Sequence, residues 1–146
     1  MVHAATLLHR YATGAVLPIV LPFIDAKLTE WPCSVQLPVL AYLLKASPEE
    51  AAPRVDEALK STNKRQVCTS RLLTTLGFLE PGPALERLAI AQIETGTPAA
   101  ADGAHYLQQY GDSPASYVER GRAAAIKLKV WEQLLLWQQR FVSRCV

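Results

Sequence analysis

The sequence predicts an all-α protein, an α-solenoid of antiparallel helical hairpins, and three observations carry that prediction. Half of the 146 residues are apolar, while aromatic residues make up only 8% and glycines number 7. Ala and Leu supply most of the apolar content, and both favour helix over strand. The second observation is punctuation. Leu44-Lys-Ala-Ser-Pro48, Leu76-Gly-Phe-Leu-Glu-Pro81 and Tyr110-Gly-Asp-Ser-Pro114 each close an apolar stretch at intervals of 32 and 34 residues, and Tyr11-Ala-Thr-Gly14 lies 33 residues before the first. A recurring period of this length marks a repeat array, in which no unit buries its apolar face alone. Third, no segment shows the alternation of an exposed strand.

Each helix can be read from its own signals. Val2 to Thr13 sets Ala5, Leu8 and Tyr11 or Ala12 on one stripe, with Gly14 as the stop. The chain opens directly into helix without a capped, polar start, which is compatible with a fragment of a longer protein. Val16 to Glu30 forms the next helix, with Pro18 in its first turn and Pro22 far enough in to bend it. Trp31-Pro32 ends that helix, and Ser34 is the expected N-cap of Val35 to Leu44. Ser47-Pro48-Glu49-Glu50 opens a helix to Lys60, combining a hydroxyl cap, Pro at the first position and carboxylates at the positive end of the dipole. After the polar, basic connector Ser61-Thr-Asn-Lys-Arg65 come Gln66 to Leu76, Ala84 to Glu94 and Ala99 to Tyr110. A long region from Ala115 to near Cys145, divided at Gly121, completes the chain. Tight turns bearing Pro or Gly force neighbouring helices to run antiparallel, giving about four helical pairs in a single domain over residues 1–146.

Charge and cysteine content exclude several classes. The formal net charge of +2 is too small for long-range steering toward nucleic acid or acidic lipid. From Glu119 onward, however, six basic residues face two acidic ones, so the last helix is locally basic. The three cysteines, Cys33, Cys68 and Cys145, match no metal or redox spacing and read as reduced thiols of a cytoplasmic protein. Cys33 and Cys68 are expected to act as small hydrophobes within apolar helices. Ala15 to Ile24 is too short to span a bilayer, and the helical spacing of Asp25, Lys27 and Glu30 after it argues against a signal peptide.

At Pro83-Ala-Leu-Glu-Arg-Leu-Ala-Ile-Ala, followed by Thr97-Pro98 and Ala99-Ala-Ala-Asp-Gly-Ala-His-Tyr-Leu-Gln-Gln-Tyr-Gly-Asp112, the pattern resembles a HEAT repeat. Leu-Pro-Phe-Ile, Ala-Tyr-Leu-Leu and Leu-Leu-Thr-Thr-Leu-Gly carry looser matches upstream, so the likeness covers residues 5 to 120. It implies a right-handed superhelix serving as a protein-protein interaction scaffold without catalytic activity of its own. The Arg that such units carry early in the second helix is replaced here by Ala99-Ala100-Ala101, so the polar ladder between units is not expected to be regular. Ala100, Gly103 and Ala104 fit close helix packing instead.

The resemblance places second helices along a concave face, with Gln36, Arg71, His105, Gln108 and Gln109 as candidate contacts. Some HEAT-like proteins are DNA glycosylases or chromophore lyases, and Trp31, Trp131, Trp137, Arg71 and Asp102 are the residues such an enzyme would draw on. The low net charge and Ala-rich helix oppose a nucleic-acid groove. His3, His9 and His105 lack chelating spacing, and no Cys-x-x-Cys or phosphate loop occurs, so no metal or cofactor is expected. Glu49-Glu50 and Asp56-Glu57 are adjacent on their helices and share no site. In the last helix Trp131, Leu134, Trp137 and Phe141 widen the apolar arc beyond one neighbour's cover, so they are candidate contacts for a protein partner, a homodimer or further repeats.

Overall fold

The computed structural model describes residues 1–60 and 71–111. Every regular element among them is helical. In order these are α1 (Val2–Tyr11), a 3₁₀ turn (Gly14–Val16), α2 (Leu17–Lys27), a second 3₁₀ turn (Leu28–Glu30), α3 (Cys33–Ala46), α4 (Pro48–Lys60), α5 (Leu72–Leu79), α6 (Pro83–Thr95) and α7 (Ala100–Tyr110). The chain divides into two compact units, Met1–Glu80 and Pro81–Val146.

In the first unit α3 is the hub, packing against α1, α4 and α5. Val35, Gln36 and Val39 to Leu44 are all buried, as expected of a helix with apolar side chains almost all round. Its start differs from the expectation. The helix begins at Cys33 after Pro32, so Ser34 lies inside the first turn and does not cap it. Gln36, 2% exposed, serves the preceding turn instead: its amide nitrogen donates to the carbonyls of Leu28 at 2.8 Å and Trp31 at 3.0 Å. That side chain ties the second 3₁₀ turn to the hub helix.

Other local signals act as read, or for a different reason. Pro48 opens α4 with Glu49 and Glu50 in the first turn. Arg54 then reaches from α4 to α2, its Nε and a terminal nitrogen donating to the two carboxylate oxygens of Asp25 at 2.7 and 3.0 Å. The same guanidinium holds Glu50 one turn back at 2.7 Å. Gly14 does not end α1, which stops at Ala12 in extended backbone, and Gly14 opens the 3₁₀ turn. The carbonyl of Thr13 just before it accepts from the buried Tyr42 hydroxyl at 2.8 Å. Nor does Gly77 end α5, which continues to Leu79 with Gly77 buried inside it.

Cys33 corrects the expectation of reduced thiols, because it is disulfide-bonded. It stands half-buried at the first residue of α3, outside the apolar interior, where a thiol is open to cross-linking rather than packed as a small hydrophobe. Cys68 and Cys145 lie outside the described residues.

The second unit is seen as the α6–α7 hairpin. Gly96, at φ 71°, adopts the left-handed conformation that ends α6, and the amides of Gly96 and Thr97 both donate to the Gln92 carbonyl. A Cβ placed on Gly103 would stand 2.6 Å from the Ala89 carbonyl oxygen, so only Gly permits this approach of α7 to α6. Buried Ala84, Ala89, Ala99, Ala100 and Ala104 continue the small-residue packing expected there. Tyr106 spans the hairpin, its hydroxyl donating to the Gly82 carbonyl at 3.2 Å and accepting from the Gly82 amide at 3.3 Å.

Candidate functional site

The amphipathic pattern of α1 explains how this helix sits. Ala5 is buried, with Leu8, His9 and Ala12 half-buried, while His3, Leu7, Arg10 and Tyr11 are exposed. The choice left open between Tyr11 and Ala12 for the inner stripe therefore falls on Ala12, and Tyr11 is 73% exposed. The outward positions 3, 7, 10 and 11 follow helical spacing and form one stripe.

Helix α3, which packs on α1, and α5, which packs on α3, leave stripes of their own. On α3, Ser34 and Lys45 are exposed and Pro38 is half-buried, at a spacing that again keeps them on one side. On α5 the stripe runs from Arg71 through Thr74 and Thr75 to Phe78, which is 77% exposed. The ends of these helices are joined by polar contacts. His9 Nε2 lies 2.8 Å from Glu80 Oε1 at the end of α5, and the Lys45 ammonium donates to the His9 carbonyl. These bonds bring the C-terminal ends of α1, α3 and α5 together.

The residues singled out from the sequence fare differently. Gln36 lies in the interior, committed to two backbone carbonyls, and offers nothing to a ligand. Gln108 is buried as well. Both were expected on a surface because a polar residue among helical apolar positions reads as solvent-facing; here each points inward. Arg71 is exposed at the N-cap of α5. On α7, His105 is half-buried and Gln109 exposed, with Gln109 Nε2 3.4 Å from His105 Nε2. Trp131, Leu134, Trp137 and Phe141 lie outside the described residues. Among the enzyme candidates, Trp31 is half-buried before α3 and Asp102 is a buried member of α7.

Sequence reasoning missed the exposed apolar side chains. Leu7, Tyr11 and Phe78 stand out on the α1 and α5 stripes, and Ile19 and Phe23 lie one turn apart on the outer side of α2. The available signal was the relative phase of Leu7 and Ala5 on α1, since both cannot face the same neighbour.

Two groups in this unit have shifted titrations. Hydrogen bonding to Asp25 is the main cause raising the Arg54 guanidinium above its ordinary value, so it stays charged. Burial pushes the Tyr42 phenol up, so it remains a neutral donor to Thr13. Among the described residues no three His, Cys, Asp or Glu side chains group closely enough to hold a metal ion, and no helix is long and apolar enough to cross a membrane. The outward side chains of the first unit thus include aromatic, aliphatic and basic groups: Tyr11, Phe23 and Phe78, Leu7 and Ile19, and Arg10, Lys45 and Arg71. No family model, curated protein or solved structure matches this chain.

Proposed function

We propose that this protein is a HEAT-like repeat array acting as a protein-protein interaction scaffold. The observation that carries the reading is the side-by-side packing of alternate helices in the first unit. In a repeat array the second helices of successive hairpins are neighbours, and so are the first helices. By the punctuation of the chain, α2–α3 and α4–α5 would each form one repeat unit, with α1 as the second helix of the unit before. Two contacts support the reading: α3 packs against both α1 and α5, and Arg54 of α4 pairs with Asp25 of α2. Arg54 supplies the kind of polar rung that the Ala99–Ala101 stretch lacks. Recognition by such an array is steric and multivalent, summed over side chains that a stiff row of helices presents.

The test is affinity capture from cell extract with the immobilised chain, compared with a variant carrying Leu7→Ser, Tyr11→Ser, Ile19→Ser, Phe23→Ser and Phe78→Ser. These positions are exposed, so the fold is retained, which circular dichroism checks. A protein held by the parent chain and released by the variant supports a scaffold. Retention of the same proteins by both chains, or of none by either, would sink the reading.

A further inference from the structure

Charge in the first unit is sorted by helical row. Resting on the scaffold reading above, we infer that the outer face of α1, α3 and α5 is the docking surface, and that it takes an acidic segment of a partner protein bearing apolar side chains.

Across the described residues of this unit, α1, α3 and α5 with its cap carry three cations, Arg10, Lys45 and Arg71, and one carboxylate, Glu80. The other row, α2 with its following turn and α4, carries six carboxylates, Asp25, Glu30, Glu49, Glu50, Asp56 and Glu57, against Lys27, Arg54 and Lys60. Ion pairing sharpens this difference. Lys27 pairs with Glu30, Arg54 with Asp25 and Glu50, and Lys60 with Asp56, so every cation of the acidic row is committed. On the basic row Glu80 is taken by His9. Arg10 and Arg71 make no ion pair among the described residues, and the Lys45 ammonium meets only a backbone carbonyl.

The uncommitted cations lie on the stripes that also carry the exposed apolar groups. Arg10 adjoins Leu7 and Tyr11 on α1, and Arg71 shares the α5 stripe with Phe78. Lys45 reaches the carbonyl of His9, the residue before Arg10. A partner that satisfies both components carries carboxylates for the cations and aliphatic or aromatic side chains for Leu7, Tyr11 and Phe78. Charge complementarity of this kind sets orientation and speeds association, while the apolar contacts supply the affinity. Three cations spread over three helices are too few for a phosphate backbone, whose binding grows with the number of neutralised charges. That sparseness selects an acidic peptide over nucleic acid.

The experiment is selection of a phage-displayed random 16-residue peptide library on the full chain, followed by fluorescence anisotropy with the selected peptides. The expected result is enrichment of Asp and Glu together with Leu, Phe or Trp. Binding should weaken at least about tenfold in the Arg10→Glu, Lys45→Glu double variant and fall with added salt. The Glu49→Lys, Glu57→Lys variant should bind as the parent does. Several results would overturn the inference: selected peptides that are neutral or basic, binding that survives the double charge reversal, loss on Ile19→Ser with Phe23→Ser instead, or equal affinity for oligo-dT lost in the same double variant. Each of these leaves the scaffold reading standing. That reading fails separately, when the fivefold serine variant captures the same proteins as the parent.

Discussion

Gly103 allows no side chain, because its missing Cβ would fall 2.6 Å from the Ala89 carbonyl oxygen, and backbone atoms in two packed helices cannot step aside cheaply. Gly103→Ala is expected to destabilise the α6–α7 hairpin by about 1–3 kcal/mol despite the better helix propensity of Ala. Chemical denaturation measures this, with exposed Ala101→Ser as the control; a stabilised Gly103→Ala chain would refute the close approach. Tyr42 gives a pH-dependent prediction. Its phenol titrates at about 10 in an unfolded chain, and burial raises it in the fold. The folded protein therefore holds more protons than the unfolded one above that pH, so this contribution is complete below it and lost as pH rises further. Tyr42→Phe should lower stability by about 1 kcal/mol at neutral pH through loss of the Thr13 hydrogen bond, and should flatten the decline of stability on the alkaline side. Equal alkaline slopes for the two proteins would count against the burial. Gln36 is a further residue whose role is internal: Gln36→Ala leaves the Leu28 and Trp31 carbonyls without that donor and should cost about 1–3 kcal/mol.

Between elements, the Arg54–Asp25 pair links α2 to α4 within the first unit. Its geometry is bidentate, but the Asp25 side chain is 55% exposed, so solvent screens much of the attraction. A double-mutant cycle with Arg54→Gln and Asp25→Asn should give a coupling of about 0.5–1 kcal/mol that shrinks with salt. A coupling of zero at low salt would show that the pair contributes nothing to the link between α2 and α4. The positions of α4, α6 and α7 were legible in the sequence to within a turn, because Pro48, Pro83, Gly96 and the apolar spacing are local signals that act within one helix, whereas the helix expected over Gln66 to Leu76 is found as α5 at Leu72–Leu79. The errors have one origin. Ser34, Gly14 and Gly77 each resemble a helix boundary locally, yet α3 starts one residue before Ser34 with no side-chain cap, and α5 runs past Gly77 with Leu76 and Gly77 buried.

For the molecule as a whole, the oxidation state of Cys33 is directly measurable. Peptide mapping without reductant should recover Cys33 in a cystine, and Cys33→Ser should cost stability on the order of 2–4 kcal/mol. Recovery of Cys33 as a free thiol would restore the reduced reading. The candidate surface was far less legible than the fold. A polar side chain at a given helical phase can face water or donate inward, and the sequence does not distinguish Gln36 and Gln108, which are buried, from Gln109, which is exposed.

The all-α class and the tight α6–α7 packing were determined by the sequence itself, since helix propensity and the run of Ala and Gly operate over a few residues. Only the tertiary structure decided which stripe of α1 faces outward, that α3 is buried nearly all round, and that charge separates into a basic row and an acidic one. Those outcomes depend on which helices become neighbours, and that is set by packing between residues far apart in the chain, as between α1 and α3 or α3 and α5.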